Sequence, residues 1–260
     1  MPRSPATYVP PILEEAGKIL LPHYGNISHV EHKGTRAPSV VTQFDTEVEK
    51  LLSKRLKEAD PSIGFAGEET GGERTGEAFW LADPIDGTAH FVRGIPFCTI
   101  MLSLIEEHDV KFSAIYNFTT KEMYIAEKGK GAHCNGKPLH VSSRPLWDSY
   151  MGLEASKKGE LDIELHGKVS KRCVVVRTIS AGYEACLIAS GRIEGKITLN
   201  PFGKDYDYAP GNLLIKEAGG TVANIGKSTY DYRNYSFLAT NPVVYKELTE
   251  GEDALFPIVS

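Results

Sequence analysis

The stretch WLADPIDGTAHF, residues 80–91, sets Asp83 and Asp86 on either side of a Pro-Ile pair and follows them at once with Gly87 and Thr88. Its leading residues extend an apolar run, FWLAD, that stops at Asp83; upstream, SIGFAG at 62–67 is a second short run that stops at Glu68 and Glu69. Short apolar runs bounded by turn residues read as buried strands, and if these two are neighbours their ends bring Glu68, Asp83 and Asp86 together. Carboxyls so placed, dry and ionised, would repel one another, so either some hold a proton or cations neutralise them. Oxygen ligands with no cysteine beside them favour magnesium, manganese or calcium over zinc, and a lone histidine, His90, is a weak sign of a ligand. Gly87 lets backbone approach a ligand closely, and the N–H groups that open a helix attract an anion. Phosphate fits best, because magnesium is commonly held by one or two carboxylates plus phosphate oxygens. The alternative is that Asp83 and Asp86 only shape a turn beside proline and glycine. The GEE just upstream favours the metal, with Glu69 itself read as a solvated neighbour.

Working outward, Val9, Ile12, Leu13, Ala16, Ile19 and Leu20 recur at helical spacing and predict a first helix that ends near Pro22. Val48, Leu51, Leu52, Leu56 and Ala59 predict a second, opened by TQFD at 42–45, a capping-box pattern. Between 97 and 142 the runs FCTIMLSLI, VKFSAIYN, EMYIAE and KPLHVS predict an antiparallel meander, with Asn135-Gly136 as a hairpin turn. Beyond about 146 strand and helix alternate: YMGLE, a polar helical stretch, CVVVR, EACLIASG, IEGKITL, DYAPGNLLIKEAGG with glycines suited to a helix end, and a last strand YSFLAT. The expected organisation is two αβ lobes, 1–145 with the metal and phosphate site and 146–260 with the substrate side and a far metal ligand.

With 260 residues, 41% hydrophobic and 24% charged, the chain can bury a sizeable core and shows no sign of disorder. A formal charge of -5 without a basic run argues against a general nucleic-acid binder. Cys98, Cys134, Cys173 and Cys186 lie far apart with no CxxC, which indicates neither a zinc site nor a disulfide framework. Prolines and glutamates interrupt the N-terminal apolar residues where a signal peptide needs an unbroken run, and no segment approaches the roughly 20 apolar residues of a membrane span. A soluble, cytoplasmic protein with no membrane or nucleic-acid partner is expected.

GEET, then WLADPIDGTAHFVRGIPF, then DYDYAPGNLLIKEAGG resemble, in order and spacing, the three signature stretches of the inositol monophosphatase family. AEKGKGAHCNGKPLHVS is similar to the family's hairpin segment and RTISAGYEACLIASGRIEG, more loosely, to a second-lobe segment. The resemblance implies an α/β (α+β) fold, the layered αβαβα sandwich of the inositol monophosphatase and fructose-1,6-bisphosphatase type. It implies two or three Mg2+ per site, with Mn2+ as a substitute: Glu68, Asp83 and the Ile85 carbonyl holding one, Asp83, Asp86 and Asp207 a second, and Glu68 with water a weaker third. Thr88 paired with Asp45, helped by Glu68, would activate the attacking water. Asp86, Gly87, Thr88, Ser180, Gly182, Asn200 and Asp207 would meet the substrate. A homodimer, lithium sensitivity and a small phosphorylated polyol or sugar as substrate, inositol monophosphate first, are implied in the same way. Asp45 keeps a rival reading as the third residue of the capping box, and Asp207 one as the N-cap of the helix it opens.

The substrate side departs from the family pattern. Asn200 stands seven residues before Asp207, where relatives that act on inositol phosphate commonly carry a glutamate; Tyr206 replaces a tryptophan, His90 an asparagine, and Ser180-Ala181-Gly182 a G-S/T-A. An amide at 200 can still bond a polyol, without charge assistance. Fructose 1,6-bisphosphate, histidinol phosphate and 3′-phosphoadenosine nucleotides stay open as substrates, as does a non-catalytic phosphate binder. Lys33, Arg177 and Lys204 either meet a second charged group of the substrate or sit in water, and Tyr183 and Glu184 either line the pocket or pack between the lobes.

Overall fold

The computed structural model describes residues 4–27, 31–32, 40–72, 74, 77–155, 160–177 and 179–259; Lys33 lies outside them. Helix α1 (Pro5–Leu20) buries Val9, Leu13, Ala16 and Leu20 along one stripe, and two-residue strands β1 (Glu31–His32) and β2 (Val40–Val41) pair before helix α2 (Gln43–Ala59), which buries Val48, Leu52 and Leu56. Both helices lay these stripes on one face of a large sheet, around Trp80, Leu102 and Phe112.

That sheet contains β3 (Gly64–Gly67), β4 (Gly71–Gly72) and β5 (Ala78–Asp86), then, after helix α3 (Thr88–Arg93), β6 (Thr99–Glu106), β7 (Asp109–Asn117), β8 (Glu122–Glu127), β9 (Ala132–Cys134) and β10 (Lys137–Pro138). Its order is β10-β9-β8-β7-β6-β5-β3-β4. β6 to β10 form the expected meander, closed by Asn135-Gly136 with positive φ at both residues. β3 and β5 run parallel with Gly67 opposite Ala82, so the two apolar runs are neighbours and their ends lie together.

A second sheet follows from β11 (Tyr150–Glu154), helix α4 (Glu160–Ser170), β12 (Val174–Val176), helix α5 (Ala181–Ala189), β13 (Gly195–Thr198), helix α6 (Asp205–Glu217), β14 (Thr221–Asn224), β15 (Phe237–Thr240) and helix α7 (Pro242–Thr249), in the order β12-β11-β13-β15-β14. Strand β14 and helix α7 had no counterpart in the sequence reading. α5 and α6 pack between the sheets, against Leu81, Met101 and Ile115 on one side and Val222 and Phe237 on the other. α4 and α7 cover the outer face through Val169, Val244 and Leu248. The result is helices, sheet, helices, sheet, helices: the αβαβα sandwich. No described helix is long and apolar enough to cross a membrane.

One irregularity positions the site. Asp83 pairs with Met101 and Asp86 with Thr99, so three steps along β5 answer two along β6. In an unbroken strand, residues three apart face opposite sides. The extra residue forms a β-bulge at Pro84 and Ile85, where proline has no N–H to give the ladder, and the bulge re-aims the strand so that both carboxylates reach one place.

Candidate active site

Asp83, Asp86 and Asp207 each offer a carboxylate oxygen within 4.8 Å of the others. Asp83 and Asp86 come from the bulged end of β5 and are buried; Asp207 is half-buried in the first turn of α6. Asp207 is the third helical residue and its Oδ2 accepts the Lys204 N–H at 2.7 Å, so it caps α6 from inside, not from the N-cap position. Asp83 accepts from the Ile85 N–H at 3.1 Å. Asp86 is held hardest: its oxygens accept from the Ala181 N–H at 3.0 Å, the Gly182 N–H at 2.8 Å and the Thr99 hydroxyl at 2.9 Å. The first N–H groups of α5, which have no partner inside their own helix, thus bind a carboxylate of the other sheet.

The electrostatics of this cluster are unbalanced. Burial, then the nearby Glu68, Asp207, Asp86 and Asp45, pushes the Asp83 carboxyl well above the carboxylate range. Burial raises Asp86 as well, against the opposing hydrogen bonds of Ser180, Thr99, Gly182 and Ala181. Asp207 is pushed up to about 8, by burial first, then by Asp86, Glu68 and Glu154. Among the described residues no lysine or arginine pairs with any of the three. A largely buried all-oxygen donor set, paired with no described lysine or arginine, fits a hard divalent ion such as magnesium or manganese.

Glu68, half-buried, directly follows β3 and gives its N–H to the Ala82 carbonyl at 3.2 Å. Its loop is held by Glu49 of α2, fully buried, which accepts the N–H groups of Glu69 and Thr70 at 2.8 Å each and also the Thr70 hydroxyl. Glu69, expected in water, is half-buried, and its charge raises Asp45. Arg74, beyond the same loop, pairs with Asp205 at the start of α6.

Both readings of Asp45 hold in geometry. Its Oδ2 accepts the Thr42 N–H at 2.7 Å and the Thr42 hydroxyl at 2.8 Å, completing the capping box, while its Oδ1 lies 3.0 Å from the Thr88 hydroxyl. That hydroxyl is also 2.9 Å from the Ile85 carbonyl, and its single proton serves one acceptor at a time. Burial raises Asp45, opposed by the bonds from Thr42 and Thr88.

Gly87 has φ +80, and a Cβ there would stand 2.6 Å from the Phe97 carbonyl, so the turn into α3 admits glycine alone. Gly182 is tightly packed without a special backbone angle, since a Cβ would meet the Met101 side chain at 2.4 Å and the Thr99 side chain at 2.5 Å; its N–H, with Ser180 beside it, serves Asp86. Asn200 is exposed just past β13, its N–H 3.4 Å from the Glu154 carbonyl. His90 packs edge-on to Phe97 at 6.0 Å and stands outside the acidic group. Tyr206 is buried, with Lys204 Nζ 5.8 Å from its ring, and Arg177 and Lys204 are exposed. Tyr183 stacks on Phe97 at 5.1 Å, and Glu184 is buried beside Lys196.

Thr99, Glu49 and Lys196 escaped the sequence reading. Glu49 had a signal: it follows Asp45 by four residues on α2, which puts both carboxylates on one helix face beside the buried Val48 and Leu52.

A layered sandwich that gathers carboxylates from a strand of one sheet and from a helix packed between the two sheets belongs with the metal-dependent phosphoric monoester hydrolases. A family model described as the inositol monophosphatase family matches residues 10–254. Inositol monophosphatase 3 of Solanum lycopersicum is 34% identical over 240 residues, covering 88% of each chain. A Thermotoga maritima protein described as fructose-1,6-bisphosphatase/inositol-1-monophosphatase is 29% identical over 246 residues, 92% of each. Among solved structures, Thermotoga maritima IMPase superposes with a TM-score of 0.84 at 26% identity over 93% of this chain and 94% of that one. The extragenic suppressor protein suhB of Bartonella henselae does so with 0.82 at 28% identity, over 92% and 94%. The chain belongs to the inositol monophosphatase family.

Proposed function

We propose that the protein is a magnesium-dependent phosphatase of small polyol or sugar phosphates, with inositol monophosphate as its first substrate. The observation that carries this reading is the convergence of Asp83, Asp86 and Asp207 within 4.8 Å, with the Thr88 hydroxyl, 3.0 Å from Asp45, just beyond the end of the same strand. Glu68, Asp83 and the Ile85 carbonyl would hold one magnesium, Asp83, Asp86 and Asp207 a second, and Glu68 a weaker third; manganese suits the same donors. When bound, the ions supply positive charge that makes water acidic and stabilises the leaving oxygen.

The rest falls to the chain. With its proton directed to Asp45, Thr88 Oγ1 presents a lone pair to the attacking water and orients it, and Asp45 is the base at the end of that relay. The water oxygen forms a bond to phosphorus as the ester oxygen departs and takes a proton, with no phospho-enzyme between. The N–H groups of Gly87 and Thr88, at the opening of α3 where a helix leaves its first donors unpaired, receive the phosphoryl oxygens. Fructose 1,6-bisphosphate is the second reading, favoured by the name of the Thermotoga relative and by the uncharged Asn200.

Specificity constants for inositol 1-phosphate, fructose 1,6-bisphosphate, histidinol phosphate and adenosine 3′,5′-bisphosphate test the proposal. The first is expected to be highest. Release of phosphate from none of the four, with phosphate still bound, would identify a binder instead of an enzyme.

A further inference from the structure

A second buried charge cluster connects the two ends of the acidic site. Lys196 on β13 is 4% exposed, and its Nζ lies 3.0 Å from Glu154 Oε2 on β11 and 2.9 Å from Glu184 Oε2 on α5. Burial pulls the ammonium down, but the two carboxylates more than reverse this and keep it protonated. Each carboxylate leads on to a candidate cation ligand. Glu184 sits one turn into α5, the helix whose Ala181 and Gly182 N–H groups grip Asp86. Glu154 Oε1 accepts from the Tyr208 hydroxyl at 2.7 Å and from the Phe202 N–H at 2.6 Å. The Tyr208 oxygen in turn accepts the Gly203 N–H at 2.8 Å, and the next residue, Lys204, gives its N–H to Asp207.

A buried ion cluster is a poor way merely to hold a fold, because apolar side chains of similar volume often do as well or better. This one does something apolar packing would not: it ties the helix that grips Asp86 to the loop that leads into α6 and gives a backbone N–H to Asp207. The separation of those carboxylates decides whether they can share one cation, and partners behind a ligand commonly set that geometry. We propose that Lys196, bridging Glu154 and Glu184, is a positioning residue that fixes Asp86 relative to Asp207 and thereby sets the site's affinity for a divalent cation. The inference rests on the reading of the acidic cluster as a cation site.

The test is calorimetric titration of the metal-stripped protein with magnesium chloride, for the unaltered chain, for Tyr208→Phe and for the double variant Lys196→Met/Glu184→Gln. The double variant leaves the trio's net charge unchanged, because one ammonium and one carboxylate go together, but removes the bridge. Tyr208→Phe is nearly isosteric and cuts only the link to the loop. Thermal melts in EDTA establish that each protein is folded at the titration temperature. Both variants are expected to bind magnesium about 10- to 100-fold more weakly, the double variant more so. Phosphate release should need correspondingly more magnesium, with much of kcat recovered at saturation. If the unaltered chain binds magnesium and the folded variants bind it equally well, the positioning role is wrong and the cation reading stands. If the unaltered chain binds none, the cation reading itself fails.

Discussion

Two buried acidic clusters adjoin in this molecule, and they differ in where their positive charge comes from. Glu154 and Glu184 enclose Lys196; although burial is the largest influence on both, Lys196 and the hydrogen bonds around Glu154 bring that carboxyl below the usual range, while Glu184 stays raised against the pull of the same lysine. Asp83, Asp86 and Asp207 pair with no lysine or arginine among the described residues, and all three are raised. Desolvation acts on both sets, and in the first a buried lysine opposes it. Among the described residues no lysine or arginine does for these three aspartates what Lys196 does for Glu154 and Glu184, and their oxygens could hold a metal ion.

The contrast can be broken by mutation, most severely at Asp83. Asp83→Asn removes a carboxylate from the open cluster and should lower phosphate release at saturating magnesium by at least about 1000-fold. The same change should raise the melting temperature of the metal-free protein, since it relieves repulsion; near-normal turnover would remove Asp83 from the chemistry. In the closed cluster the sign reverses. Lys196→Met leaves two buried carboxylates without their cation and should cost about 3–5 kcal/mol in urea unfolding. An unchanged unfolding midpoint would mean that the lysine is not the cluster's counter-charge.

Thr88→Ala leaves both clusters intact and should reduce kcat about 100-fold while inorganic phosphate still binds. An unchanged kcat would take Thr88 out of water activation. The smallest effect is on stability against pH. A carboxyl whose folded pKa lies near 8 and whose unfolded pKa is near 3.8 holds its proton more tightly in the native state. Native protein then binds more protons than unfolded protein between those values, so stability falls as pH rises through that window. The metal-free melting temperature should therefore drop by several degrees from pH 5 to pH 8, and saturating magnesium should flatten the slope. A slope indifferent to magnesium would contradict the coupling between cluster and ion.

Much of the frame could be read from local pattern. Stripes at helical spacing marked α1 and α2, and two apolar runs ending in acids marked β3 and β5, because burial of one face imposes a period that survives without knowledge of partners. Strand β14 was too short to show a period, and α7 was announced only by Asn241 capping a helix that opens with Pro242. In the site, the chemistry of DPIDGT was legible but its geometry was not: Asp83 and Asp86 meet only because of a bulge defined by pairing with β6. Glu154 and Lys196 sat unnoticed inside apolar runs, and Glu184 was read as lining the pocket or packing between the lobes without its partner, since a sequence shows that a position is buried and not which charge lies across from it. Ser180 and Gly182, expected at the substrate together with Asp86, lie against that carboxylate, which the start of α5 holds.

The most direct measurement is phosphate release from inositol 1-phosphate by protein stripped with EDTA, followed as magnesium is restored. The open cluster predicts no turnover above background without the ion and a saturable return of activity as it is added. Full turnover in EDTA would mean that the three carboxylates do their work without an external cation, and would contradict the account at its centre.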